Sequence, residues 1–277
     1  MNKFTVLILL FSISSFGMIR ALNTAATGMS SGEAHVNTIS NNIANANTTA
    51  YKMQRAEFED LKYETINVAG GRSSANTQYT VGEQIGSGSR VNATRRIHSM
   101  GSPQLTQRPY DLMIMGDGFF ALQKGNEVFY TRDGGFTVDA QGNVKTRDGY
   151  SLVPGIVIPP NTVKLNIAEN GVVEAFLSNQ LEPTQIGQIP VYTFVNPAGL
   201  HDFGGNKARA TSASGEAIQN IAGTENAGAI QQGTLEASNV SVMNEMTNLI
   251  KAQRAYEMNS KVMGVADQML QTVNNIR

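Results

Sequence analysis

The sequence predicts an α+β protein, in which N- and C-terminal coiled-coil helices pair into one helical domain and a β-rich domain is inserted between them. Three observations predict it. Near the N-terminus Leu22, Met29, Val36 and Ile43 recur every seven residues, with Met18, Ala25, Gly32 and Ile39 as the interleaved row. Near the C-terminus Val242, Leu249, Tyr256, Met263 and Leu270 form one row, and Ala252, Asn259, Ala266 and Val273 the other. Such rows are the a and d positions of a helical seam. In the middle, glycine-centred turns separate short runs of β formers, the spacing of a sandwich or barrel.

Taken in order, residues 1–17 read as a signal-like leader or a mis-called extension: Lys3 precedes an apolar run from Val6 to Phe11, with Ser15 and Gly17 at the small positions of a cleavage site. Either way the mature chain is expected to begin at Met18. Residues 18–50 form the first helix of the core domain. Fully burying Leu22, Met29, Val36, Ile39 and Ile43 gives about 10 kcal/mol, at roughly 2 kcal/mol each. Ordering the stretch from Met18 to Ile43 costs roughly 1 to 2 kcal/mol per residue, and Gly28 and Gly32 each weaken the helix by about 1 kcal/mol more. The helix therefore needs partners. Either the two ends form a hairpin within one chain or, as this balance favours, they order mainly when copies of the chain assemble. Asn and Thr from Ser40 to Tyr51 compete for backbone hydrogen bonds, so the helix frays by about Asn47.

Residues 51–100 read as an extended or hairpin connection, with Phe58, Leu61 and Ile66 as anchors and 69–77 as a flexible turn or hairpin tip. Residues 101–200 are the β-rich domain, with strands expected at Phe119–Leu122, Val128–Thr131, Gly155–Ile158 and Ile189–Val195 between turns such as Gly116-Asp-Gly118 and Asn170-Gly171. Residues 201–238 read as a Gly/Ala/Ser-rich linker, and residues 239–277 as the second helix. Ser241 is its N-cap, and Glu245 sits near the positive end of the dipole.

At 277 residues the chain has room for a sizeable core and two or three domains. A net charge of -1 argues against nucleic acid or an anionic membrane as the main partner. The absence of cysteine excludes disulfides, thiolate metal sites and thiol nucleophiles.

Chemistry finds little support. Gly28-Met-Ser-Ser-Gly32 matches the G-x-S-x-G elbow of hydrolases, but that elbow joins a strand to a helix and this one lies inside a heptad; small residues admitting a neighbouring helix explain it better. A hydrolase would need Ser30 presented with a histidine and an acid. His35, His98 and His201 are far apart and lack the spacing of metal ligands. Gly116-Asp-Gly118 lacks the third glycine of a dinucleotide loop, and Asp139 and Glu169 have no paired carboxylate. No catalytic, cofactor-binding or metal-ligating residue is expected. Asn259, polar within the seam, is a candidate for fixing helix register.

Particular segments then point to a family. Ser40-Asn-Asn-Ile-Ala-Asn-Ala-Asn-Thr-Thr-Ala-Tyr-Lys52 resembles the signature of bacterial flagellar rod, hook and hook-associated proteins. Gly233-Thr-Leu-Glu-Ala-Ser-Asn-Val-Ser-Val242 and Gln253-Arg-Ala-Tyr-Glu-Met-Asn-Ser-Lys261 are similar to their closing segment, while 111–120 and Tyr130-Thr-Arg-Asp-Gly-Gly-Phe136 look like their shared β domain. Within the family, 58–66 with Gln84-Ile-Gly-Ser-Gly88 resembles the distal rod subunits. Ala50 stands where many members carry Gly, which argues against a left-handed backbone there.

The resemblance implies a structural subunit of the basal-body distal rod. It would self-assemble into a helical tube that passes torque from motor to hook, with no cofactor and no reaction. Hook or proximal rod subunits of the same family are the alternative, and a secreted β-rich adhesin the more distant one. Implied partners are other copies in a helical homo-polymer, the proximal rod, hook and surrounding ring proteins, and the flagellar type III export apparatus, which passes the chain unfolded and without a cleaved signal. The expected subunit-interface residues are Leu22, Met29, Val36, Ile39, Ile43, Val242, Leu249, Tyr256, Met263 and Leu270.

Overall fold

Two long helices bracket a succession of short strands in the computed structural model, which describes residues 3–74, 77–178, 182–224 and 226–275. The first helix, α1, spans Lys3–Ala44, and the last, α2, spans Val242–Asn275. The chain divides into two compact units. Met1–Ile43, Gln54–Arg95 and Val242–Arg277 form one; Ala44–Met53 and Arg96–Ser241 form the other.

The helical unit also contains a nested β ribbon. Gln54–Asp60 pairs with Ser89–Arg96, Glu64–Asn67 with Glu83–Ile85, and Arg72–Ser74 with Thr77–Gln78, so one long hairpin runs out and back through the stretch read as a connection. Residues 75 and 76 of its expected tip lie outside the described residues. The residues in this ribbon alternate too weakly in hydrophobicity to announce strands: both Phe58 and Ile66 are exposed.

The β unit is built on a seven-stranded sheet in the order Phe136–Val138, Val144–Thr146, Ser151–Leu152, Phe120–Lys124, Glu127–Thr131, Lys207–Arg209, His201–Gly204. At its centre Phe120 pairs with Thr131 and Leu122 with Phe129. Gly125 turns this hairpin with φ 62°, which the first central position of a type II′ turn requires. Phe120, Phe129 and Phe136 are at most 2% exposed, and the rings of Phe120 and Phe136 meet edge to face at 5.4 Å. Three antiparallel strands, Thr162–Ile167, Val172–Leu177 and Thr184–Gln188, contribute Leu165, Ile167 and Val173 to the same core. Gly134 shows how closely the backbone packs, since a Cβ there would lie 1.7 Å from the Leu112 carbonyl oxygen.

Three expectations are corrected. Gly155–Ile158 makes only an isolated bridge, from Val157 to Asn143. Its apolar residues serve burial instead, with Ile156 and Ile158 in the core. The segment read as a linker carries Lys207–Arg209, Ile218–Ile221, Ala229–Gln232 and Thr234–Glu236, each paired to an earlier strand. Small side chains there edge a packed sheet, and their composition mimics a loop. Ala50 does adopt a left-handed backbone, φ 56°, despite its Cβ. Such a conformation costs an L-residue roughly 1 to 2 kcal/mol, and it is held because the Ala50 amide donates to the Glu236 carbonyl at 2.8 Å.

Candidate subunit interface

The helical unit brings the two ends of the chain side by side. A Cβ on Gly28 would stand 2.7 Å from the Asn259 amide nitrogen, and one on Gly32 would stand 3.7 Å from the Tyr256 Cβ. Four residues forward on α1 correspond to three back on α2, so the helices run antiparallel. Glycine at these points allows a backbone approach that larger residues would block. Ser30, between the two glycines, is exposed in mid-helix, and the strand-to-helix elbow is absent.

Burial on α2 follows the row of Ala252, Asn259 and Ala266, extended back to Glu245, more closely than the row of Val242 and Tyr256. Glu245, Ala252 and Ala266 are buried, and Leu249, Asn259, Met263 and Leu270 are half-buried. On α1 Ala25, Ser31, Ile39 and Asn42 are buried, and Leu22, Met29, Val36 and Ile43 half-buried. Of the ten expected interface residues, Val242 and Tyr256 are the most exposed, at 44% and 43%. The Met18 and Val273 side chains lie outside the described ones.

A polar contact missing from the sequence reading fixes this register. Asn42 donates through Nδ2 to Glu245 Oε2 at 2.9 Å and to the Gln54 carbonyl at 2.8 Å, while its Oδ1 accepts from the Gln54 amide at 2.9 Å. One amide side chain thus joins the last turn of α1, the first turn of α2 and the start of the ribbon. It is 1% exposed, and a buried amide left without these bonds would cost about 1 to 3 kcal/mol.

The β unit holds its own buried polar cluster, on the segments that lead to the helices. Lys52 Nζ donates to Glu236 Oε1 at 2.5 Å and to the Ser99 carbonyl at 2.7 Å. The same carboxylate oxygen accepts from the Gly101 amide at 2.8 Å, and Arg132 stands 3.7 Å from the other oxygen. Arg132 also donates to the carbonyls of Ile114 and Gly116. Burial, opposed by Glu236, pushes the Lys52 ammonium below its usual range, and burial does the same to Arg132. Asn239 completes the knot, accepting from the Met53 amide at 2.7 Å and donating to the Ile97 carbonyl at 2.9 Å. Nothing in local sequence pairs Lys52 with Glu236, because the partners are 184 residues apart.

The histidines take structural positions. His35 meets Phe58 edge to face, and His98 meets Phe119 at 5.6 Å. Burial, with the charges of Lys52, Arg96 and Arg132, pushes His98 down to about 4. Among the described residues no three His, Cys, Asp or Glu side chains gather as a metal site. Asp139 accepts from the amides of Gln141 and Asn143 and pairs with Lys145, which is the chemistry of a turn.

Comparison with known proteins agrees with this architecture. Residues 22–52 match the family described as flagella basal body rod protein, 113–175 the flagellar hook protein FlgE/F/G D1 domain, and 231–276 the flagellar basal body rod FlgEFG protein C-terminal. The chain is 43% identical over 263 residues to the flagellar basal-body rod protein FlgG of Borreliella burgdorferi, covering 94% of this chain and 99% of that one. It is 45% identical over 261 residues to FlgG of Caulobacter vibrioides, covering 94% and 100%. FlgG of Bacillus subtilis is 36% identical over 265 residues, again covering 94% and 100%. The solved hook protein FlgE2 of Helicobacter pylori overlays at a TM-score of 0.24 with 14% identity, over 67% of this chain and 43% of that one, too weak a likeness to carry a structural argument. Near-complete coverage at this identity, with both helical ends and the β region matched, places the chain in the FlgG family of flagellar basal-body rod proteins, structural components of the distal rod in the basal body.

Proposed function

We propose that copies of this chain assemble through their terminal helices into the helical tube of the distal rod, and that rigidity is what the subunit contributes to torque transmission. The observation that carries this reading is the meeting of the two chain ends along one antiparallel seam, with Gly28 and Gly32 opposite Asn259 and Tyr256. In this reading such a helix pair is the repeating piece of the tube wall. Contacts between unlike faces of identical subunits propagate as a helical filament wherever the rotation from one copy to the next does not close a ring.

In this reading the ten heptad residues, from Leu22 to Leu270, are interface residues in two senses. The half-buried ones hold the chain's own opposite helix and keep surface for a neighbour; Val242 is exposed, and Tyr256 lies against Gly32 while leaving 43% of its surface open. The proximal rod, the hook and the surrounding rings are the other partners. The export apparatus passes the chain unfolded, which a cysteine-free sequence with marginal ends permits.

Leu249→Asp tests the reading. A carboxylate in the seam loses hydration that no neighbour replaces, so rods should be absent from isolated basal bodies while the purified variant keeps the thermal melt of its β unit. Complete rods of normal length in cells carrying this variant would sink the proposal.

A further inference from the structure

A second apolar stripe, exposed along its length, runs along α2 beside the row turned toward α1. Met246, Ile250, Met258, Val262, Val265 and Met269 follow one another at helical spacing, with Arg254 filling the one long interval, and all six are exposed at 50% or more. At about 100° per residue Met246 and Ile250 lie about 120° and 160° around the helix from the buried Ala252, whereas Val262 and Met269, three residues after Asn259 and Ala266, lie only about 60° from those, so the stripe winds from the far side toward the flank of the inward row. From Met246 to Met269 the stripe is about 35 Å long at 1.5 Å per residue. An apolar strip of that length on a soluble surface marks a contact with another molecule. Lys251, Arg254 and Lys261 are interleaved with it, all exposed and none in an ion pair among the described residues.

The outward face of α1 is its complement. Asn23, Ala26, Ser30, Glu33 and Asn37 recur there at the same spacing and are exposed. Their side chains are short, so a neighbouring helix carrying long, flexible methionines can seat its side chains between them. The charge on that stretch is acidic: Glu33 is exposed and makes no ion pair among the described residues. Long apolar side chains with a surplus of bases on one face, where Glu257 is the one acid beside Lys251, Arg254 and Lys261, and small residues with an acid on another, form a complementary couple. Both surfaces belong to the same helical unit and stand exposed there, so neither covers the other within one chain.

We infer that the outward Met/Val stripe of α2 docks on the outward Ala26-Ser30-Glu33 face of α1 in a second copy of this chain, with Arg254 and Lys261 meeting the partner's Glu33. This rests on the self-assembly proposed above and adds which surfaces meet between copies. The contact joins two unlike faces, so it propagates from copy to copy.

The test is a charge exchange in cells whose only copy of the protein is the variant. Arg254→Glu with Lys261→Glu should reduce complete rods in isolated basal bodies at least tenfold, and Glu33→Lys alone should do the same. All three changes together should restore rods to within about threefold of the unmodified protein. Helix content and melting of the purified variants should match the unmodified protein, because every changed side chain is exposed. A further variant, Val262→Glu, probes the apolar strip without touching the charges and should also lose rods. Normal rod numbers in the charge variants, or no recovery in the combined one, would overturn the pairing; pairing of α2 with α2, or with a different rod protein, would show as insensitivity to Glu33→Lys. Loss of rods in Leu249→Asp with normal rods in all outward variants would sink this pairing alone, whereas normal rods in Leu249→Asp would sink the assembly reading beneath it.

Discussion

Lys52 and Glu236 are 3% and 0% exposed at their side chains, and their energetics depend on which partner is removed. Deleting one charge from a buried pair strands the other, at about 3 to 5 kcal/mol, whereas removing both is far milder. Glu236 stands between Lys52 and Arg132, so Glu236→Gln, which strands both buried cations, should cost about 3 to 5 kcal/mol of β-unit stability and Lys52→Met, which leaves Arg132 beside the carboxylate, distinctly less, read from denaturant midpoints. Equal costs would mean that packing of the Lys52 stem, and not charge balance, holds the segment. His98 gives a pH signature of the same cluster. Its imidazole is buried neutral, pushed from 6.5 down to about 4, so the unfolded chain takes up the proton first as the solution is acidified. Stability from this group is complete above about pH 6.5 and falls as pH drops from there toward about 4, by up to about 3 kcal/mol. His98→Gln should flatten that window in melts compared between about pH 7 and about pH 4.5; an unchanged slope would assign the acid sensitivity to other groups.

At the scale of elements, the seam can be tested by size. Gly28→Ala gains about 1 kcal/mol of helix propensity, and its Cβ meets only the free end of the Asn259 side chain, which can turn away. It should be close to neutral. Gly28→Leu forces several more atoms into the seam and should cost about 1 to 3 kcal/mol of helix stability, with loss of rods. Rods surviving Gly28→Leu would show that the helices tolerate being spread. The same seam shows what sequence could tell. The two terminal helices were legible because apolar residues recur at helical spacing in each, and the strands Phe120–Lys124 and Glu127–Thr131 were legible because runs of β formers lie between turn signals. The register-fixing Asn42–Glu245 contact was not, since it joins residues 203 apart through a side chain that reads locally as a helix terminator. For 51–100 a hairpin was one of the two readings the sequence offered, but the individual strands were not announced, because apart from Ala56 most of the ribbon is exposed and the period-two signal of a strand comes from burying one face. The strands within 201–238 hid because Ala, Gly and Thr are small enough to pack at a sheet edge and common enough in loops to look like one.

For the whole molecule, burial is divided unequally. The β unit buries Phe120, Phe129, Phe136, Leu112, Ile114 and Leu152 at 2% exposure or less, each contributing roughly 1.5 to 3 kcal/mol. The long helix α2 buries only Glu245, Ala252 and Ala266 among its described side chains, while Met243, Met246 and Met258 stand more than half exposed. Ordering that helix costs roughly 1 to 2 kcal/mol per residue, and three small or polar buried side chains recover little of it. The ends of an isolated chain should then open readily while the β unit stays closed. Assembly would supply the missing burial, and a subunit that reaches the growing rod with loose ends stiffens only on arrival. Amide exchange on a verified monomer and on isolated rods would measure this. The expected result is exchange within seconds to minutes across residues 242–275 in the monomer, slow exchange at Phe120 to Thr131 in both states, and strong protection of α2 only in rods. Slow exchange of α2 in the monomer would mean that the seam with α1 alone holds it, and that the helical ends fold before assembly.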